Sequence, residues 1–245
     1  MSDEVVIEAR DRPRGYVVLV GGREQSYVDL DDPTYLAFDY VRRMADVVDA
    51  IAAPGLPIRI VHVGGAGLSL PRYVTATRAR SSQVVLEPDE ALTARVRAEL
   101  PLPRSSGVKV RGIDGVAGVA ALRDASADLV ITDAYRDGQV PADLLSAEHL
   151  ADVARVLGPD GWYLLNLADV APFALARSVV PRLRPIFDSV VVSAEPATLR
   201  GRRPGNLLVV ASGSGDPGAA LVRRATSSAA PYRVLAGHEV RDRFG

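Results

Sequence analysis

The sequence predicts an α/β protein: a doubly wound, mostly parallel sheet of about seven strands, preceded by a short N-terminal β extension. Three observations carry that expectation. Short runs rich in Val, Ile and Leu alternate with stretches of helical periodicity. A glycine cluster, Gly64-Gly65-Ala66-Gly67, ends the apolar run at 58–63 and opens a helical pattern. Polar residues then recur at the C-terminal ends of successive runs, where an open α/β sheet binds its ligands.

The elements follow in order. Residues 5–9 and 16–20 read as strands around Asp11-Arg12-Pro13-Arg14-Gly15, and 25–30 as a third strand beyond Gly21-Gly22. Asp32-Pro33 predicts a helix start, because Asp caps well and Pro suits the first helical position. Leu36, Tyr40, Val41, Met44, Val47, Val48 and Ile51 continue it at helical spacing, and Ala53-Pro54-Gly55-Leu56-Pro57 stops it. After the glycine turn a helix runs through 72–78 and a strand through 82–87. Pro88-Asp89-Glu90 caps a helix to about residue 100. A strand at 108–111 leads through Gly112-Ile113-Asp114-Gly115 into another helix. The strand ADLVIT at 127–132 ends at Asp133, and a polar loop follows at 135–139. A helix at 144–156, a strand at 162–167 and a helix at 172–183 come next. Closely spaced strands at 187–193 and 207–211, joined by an arginine-rich turn, suggest an antiparallel pair at one edge. The chain therefore divides into a small β region at 1–33, an α/β domain at 34–215, and a helix and tail at 216–245.

The totals narrow the function classes. Of 245 residues 48% are hydrophobic and 24% charged, which suits a globular chain with a sizeable core. A net charge of −1 argues against a broad basic face for nucleic acid. There are no cysteines, which excludes thiolate chemistry, zinc–cysteine sites and disulfides and fits a cytoplasmic location. The charged N-terminus lacks the apolar core of a secretory signal. No run approaches the roughly 18 apolar residues of a membrane span. His62, inside an apolar strand, reads as a buried, hydrogen-bonded histidine; His149 and His238 share no metal-ligand spacing with it, so no metal is expected. Ser69 and Ser146 lack the context of a nucleophile elbow.

The polar sites at four strand ends are the 64–67 turn, Glu87, Asp114 and Asp133. Glu87, after the second strand, is placed to accept both hydroxyls of a ribose. Asp114, after the third, could accept from the exocyclic amine of an adenine. Asp133 ends the fourth, beside whatever the turn holds. Each carboxylate alone also fits a helix N-cap or a solvated loop residue.

The runs HVGGAGLSLPRY, VVLEPD, VRGIDG and ADLVITDAYRDG, with GGREQSYVDLDDPTYLAFDY upstream, resemble the polyamine aminopropyltransferases, the spermidine synthase family. The resemblance implies a sheet like that of class I methyltransferases. It implies that Gly64, Gly65, Ala66, Gly67, Glu87 and Pro88 hold the nucleoside of decarboxylated S-adenosylmethionine as co-substrate, with Asp114 and Gly115 at its adenine. It assigns Asp133 as the catalytic aspartate that orients and deprotonates an amine, and Gln25, Tyr35, Tyr135 and Asp137 to the acceptor site, with no metal and a homodimer. The chain departs from the family in three places. The family's Asp after its glycines, which contacts the aminopropyl group, is Gly67 here. Its second Asp in the loop after the catalytic one is Arg136. The acidic or amide face after its Tyr is Leu36-Ala37-Phe38. These departures keep two alternatives open: a small-molecule methyltransferase using intact S-adenosylmethionine, and a binding protein that has lost the chemistry.

Overall fold

The computed structural model describes residues 4–136, 138–228 and 230–245, so Asp137 lies outside the described residues. Strands β1 (Val5–Ala9), β2 (Gly15–Val20) and β3 (Arg23–Asp29) form an antiparallel meander. The β2–β3 turn is Gly21-Gly22, both with positive φ, as a tight hairpin requires.

Helix α1 spans Asp39–Ala50. It starts later than Asp32 because that side chain closes a local turn, accepting from the Thr34 amide at 3.1 Å. Arg42 then donates to the carbonyls of Leu36 (2.7 Å) and Ala37 (3.2 Å), which ties the approach to the helix.

The main sheet has eight strands in the order β11-β9-β10-β8-β7-β4-β5-β6. They are β4 (Arg59–Val63), β5 (Ser82–Leu86), β6 (Val108–Arg111), β7 (Ala127–Thr132), β8 (Leu157–Asp169), β9 (Ser189–Ala194), β10 (Gly205–Ser212) and β11 (Arg233–Leu235). Strands β4 to β8 pair in parallel; β10 runs antiparallel to both β8 and β9, and β11 antiparallel to β9. The strand beyond the expected seven is β11, which lies in the 216–245 segment and forms the sheet's edge. The connecting helices are α2 (Ser69–Thr77), α3 (Glu90–Glu99), α4 (Gly115–Ala120), α5 (Ala147–Val156), α6 (Ala174–Leu183), α7 (Pro196–Leu199), α8 (Pro217–Ser227) and α9 (His238–Phe244). The helix expected at 144–156 is broken: a 3-10 turn at Ala142–Leu145 precedes Ser146, whose hydroxyl caps α5 by accepting from the His149 amide at 3.2 Å.

Alternation along the strands sorts the core into two layers. On one face Met44, Val48, Ile60, Ile131, Leu164 and Leu208 pack together beneath α1. On the other Val61, Val63, Val130, Leu165 and Val209 meet α5 and α6. A third cluster joins Val18 and Val28 of the meander to Leu68, Val85, Leu92 and Val96. Each fully buried Val or Leu contributes roughly 1.5–3 kcal/mol, so that cluster fastens the meander beside the glycine turn. Trp162 is buried in the α1 layer. Among the described residues no helix is long and apolar enough to cross a membrane, and no cluster of His, Asp and Glu is arranged to hold a metal ion.

Candidate functional site

The glycine turn links β4 to α2. Gly64 has φ +90°, and a Cβ there would stand 2.3 Å from the Asp133 carbonyl oxygen. Only glycine lets the turn lie directly against the end of β7. Ala66 (φ 39°) and Leu68 (φ 62°) also sit in the left-handed region. Each costs on the order of 1–3 kcal/mol, a cost borne where the surroundings over-determine the backbone.

Glu87, just past β5, provides part of that support. One of its oxygens accepts from the amides of Gly65 (3.0 Å) and Ala66 (3.4 Å), the other from Asp89 (3.1 Å). The carboxylate expected to meet a ribose is thus the brace of the turn. The Gly64 amide donates to Leu86, Gly67 to the Ser26 hydroxyl and Leu68 to Gly65. All five N–H groups from Gly64 to Leu68 are therefore engaged within the protein. The turn itself offers a ligand no free amide donor.

Gly67 faces the meander. A Cβ there would stand 2.7 Å from the Ser26 Cβ and 3.1–3.2 Å from Val18 and Val28. The position that carries an aspartate in the resembling family has no room for a side chain here. Ser69 strengthens the same seam by donating from its hydroxyl to the Tyr27 carbonyl at 2.6 Å.

Asp114 is exposed and caps α4, accepting from Ala117 at 3.0 Å; Gly115 opens that helix and Pro88 is exposed after Glu87. Glu87, Asp114 and Asp133 do stand beyond the C-terminal ends of β5, β6 and β7, on the same rim of the sheet.

Asp133 is held from one side. Asn166 of β8 donates to its carboxylate at 2.9 Å, and Asn206 of β10 donates to Asn166 at 3.1 Å. Arg43, buried in α1, in turn donates to the Asn206 carbonyl at 3.0 Å. Burial pushes the Asp133 carboxyl above the usual carboxylate range, against the opposing pull of Asn166. Burial also raises Tyr40 and Tyr135, and the nearby Asp133 charge adds to both, so both phenols keep their protons. The Tyr135 hydroxyl donates to the Asn166 carbonyl and accepts from the Ala168 amide, which holds the ring at the side of the cleft.

A cleft of about 70 Å³ opens among these groups, lined by Gln25, Ser26, Tyr40, Met44, His62, the 64–66 turn, Asp133 and Tyr135. The structure thus brings Gln25, Gly64, Gly65, Ala66, Asp133 and Tyr135 together. It does not bring Tyr35: that ring packs edge-on against Tyr27 under the Arg12 guanidinium. Tyr40 is the tyrosine of α1 that reaches the cleft. In the sequence it is one more apolar-periodic position next to Val41, and nothing local marks its face as open. Arg136 is exposed, pairs its backbone with Gln139, and does not line the cleft. Asn166 and Asn206 were also missed, because their link to Asp133 arises only from strand pairing. A wider hollow of about 490 Å³, lined by Phe173, Arg177, Arg233 and Asp242, involves none of the expected residues.

No protein-family model and no curated protein matches the chain. Solved structures do. A probable spermidine synthase from Corynebacterium glutamicum aligns over 97% of this chain and 89% of its own, at 26% identity with a TM-score of 0.89. The chain is spermidine synthase-like. A spermidine synthase in complex with the transition-state analogue AdoDATO aligns over the whole of this spermidine synthase-like chain and 82% of its own, at 14% identity and a TM-score of 0.65. Human methyltransferase-like protein 13 in complex with SAH aligns over 76% of the chain and 92% of its own, at 20% identity and a TM-score of 0.61. These last two share the fold, a methyltransferase-like α/β sheet.

Proposed function

We propose that the protein transfers an aminopropyl group from decarboxylated S-adenosylmethionine to a small amine. The observation that carries this reading is the charge of the cleft. Asp133 supplies a carboxylate, and no Arg or Lys lines the cleft among the described residues. Removing the carboxylate from S-adenosylmethionine leaves a sulfonium and an ammonium, a dication that suits such a site. The intact molecule brings a carboxylate that finds no cation there, and the N–H groups from Gly64 to Leu68 are already bonded.

In this reading Glu87 and Asp114 receive the ribose and adenine, and Asp133 binds the acceptor ammonium and takes a proton from it. The freed nitrogen lone pair attacks the aminopropyl carbon next to sulfur. The carbon–sulfur bond breaks, its electron pair stays on sulfur, and methylthioadenosine leaves. A carboxyl raised by burial is a better proton acceptor than an ordinary one. Positioning supplies much of the remaining rate. The reading carries the homodimer and cytoplasmic expectations with it, by analogy alone.

One observation favours methyl transfer instead: Gly67 has no room for the aspartate that would hold the aminopropyl ammonium. Calorimetric titration with decarboxylated S-adenosylmethionine, S-adenosylmethionine and methylthioadenosine separates the two. Tighter binding of the decarboxylated form, weakened in Asp133→Asn, supports aminopropyl transfer. Preference for the intact molecule moves the reaction to methyl transfer, and no binding of any of the three removes both.

A further inference from the structure

His62 is a polar group of the cleft that the transfer reaction leaves unused. It pairs in register with Ile131 of β7, two residues inward of the level of Gly64 and Asp133. At about 3.3 Å per residue the ring lies roughly 7 Å below the Asp133 carboxyl, on the same face of the sheet. Its side chain lines the inner part of the cleft with Met44 and Ile131.

Its tautomer follows from its partners. Gln83 Nε2 donates to the Pro71 carbonyl at 3.0 Å, and a carbonyl can only accept. The Gln83 amide oxygen therefore faces His62, and its 3.0 Å contact with Nε2 requires the proton to sit on Nε2. Nδ1 is left with a lone pair. Among the described residues Nδ1 has no hydrogen-bond partner, and it is not one of the sealed polar atoms that lack one. Burial lowers the ring to about 4, so it is neutral at physiological pH.

The size of the cleft limits what can reach that lone pair. About 70 Å³ is room for only a few water-sized groups, so what reaches that lone pair is a small end group. An ammonium at the inner end would be desolvated against a neutral ring with no counter-charge beside it. A hydroxyl there would complete the hydrogen bond without that penalty.

We propose that His62 sets acceptor specificity: its Nδ1 accepts a hydrogen bond from an uncharged donor, such as a hydroxyl, at the far end of a short linear amine held at its near end by Asp133. This rests on the amine-acceptor reading above and deepens it.

The test uses the full chain labelled with ¹⁵N-histidine. Its three histidines are assigned by elimination with His149→Gln and His238→Gln, which leave His62 in place. The probes are 4-amino-1-butanol, 1,4-diaminobutane and n-butylamine, with methylthioadenosine followed by calorimetry. The expected result is a shift of the His62 Nδ1 resonance with aminobutanol, which binds at least fivefold tighter than butylamine, an advantage lost in His62→Leu. A diamine that binds tighter than aminobutanol overturns the uncharged end. Aminobutanol that binds no tighter than butylamine, or leaves Nδ1 unmoved, overturns the role of His62. If methylthioadenosine binds and no amine moves Nδ1, the His62 inference falls alone. If methylthioadenosine does not bind but aminobutanol still moves Nδ1, the nucleoside reading falls and His62 stands.

Discussion

Gly67→Ala adds one methyl group at the seam between the glycine turn and the meander. That methyl would sit 2.7 Å from the Ser26 Cβ and within 3.1–3.2 Å of Val18 and Val28, a separation that real Cβ atoms do not tolerate. Relief requires β3 to move away, and β3 carries the Ser26 hydroxyl that accepts from the Gly67 amide at 3.0 Å. Overpacking a tight site costs about 1–3 kcal/mol, and weakening the hydrogen bond about 1 kcal/mol more. The expected loss is about 2–4 kcal/mol. At about 2–4 °C per kcal/mol for a chain of this size, the melting midpoint falls by about 5–15 °C. Denaturant and thermal unfolding measure it. A Ser26→Gly partner removes the 2.7 Å contact, so the double mutant should recover about 1 kcal/mol relative to the sum of the two singles. Gly67→Asp, which writes the resembling family's residue into the turn, should destabilise further because it buries a carboxylate as well. Wild-type stability in Gly67→Ala, or additive effects with Ser26→Gly, would refute the claim that packing excludes a side chain at this position.

Four other outcomes are expected, at three positions. Asp133→Asn keeps the contact with Asn166 but removes the proton acceptor, so turnover with any amine that proves to be a substrate should fall about 10²–10⁴-fold in a methylthioadenosine-release assay. Asp133 also holds its proton where the unfolded chain has lost it, so its contribution to stability is present at low pH and lost as pH rises through its raised native value. Unfolding measured against pH should therefore find Asp133→Asn more stable than wild type near neutrality. Gly64→Ala combines a strained φ with a 2.3 Å collision against the Asp133 carbonyl and should cost about 2–4 kcal/mol and abolish ligand binding, read by melting and calorimetry. Asp29 shows the opposite pH sign: burial pushes its carboxyl up, but the amides of Asp32 and Asp31 and the Arg12 guanidinium outweigh burial and hold it low. That stabilisation is present above the usual carboxylate range and is lost as pH falls through the lowered native value. Asp29→Asn should cost about 1.5–3 kcal/mol at neutral pH and flatten the acid side of the stability curve.

The order of strands and the strand ends were legible because their signals are local. Val-rich runs bounded by glycine, and a helix start capped by Asp89, announce themselves over a few residues. The start of α1 was misread because Asp32 offers its side chain to its own turn as readily as to a helix. The choice between Tyr35 and Tyr40 was not legible, since both sit near Leu36 and Val41 and only the packing of α1 shows which ring meets the cleft. Gly67 was visible as a departure, but its reason lies in Val18 and Val28, far upstream in the chain. His62 was read correctly as buried and bonded. That its second nitrogen keeps the lone pair depends on which way the Gln83 amide points, and Pro71 decides that.

The Asp133–Asn166–Asn206 ladder bears on synthesis at the ribosome. Asn166 comes from a parallel neighbour of β7, but Asn206 reaches it only because β10 turns back antiparallel along β8. The parallel strands of the sheet can pair while the last part of the chain is still being made. Their carboxylate at the end of β7 then lacks its full set of supports. A nascent chain halted before β10 would hold a sheet whose aspartate rests on Asn166 alone, without the Asn206 contact that braces it.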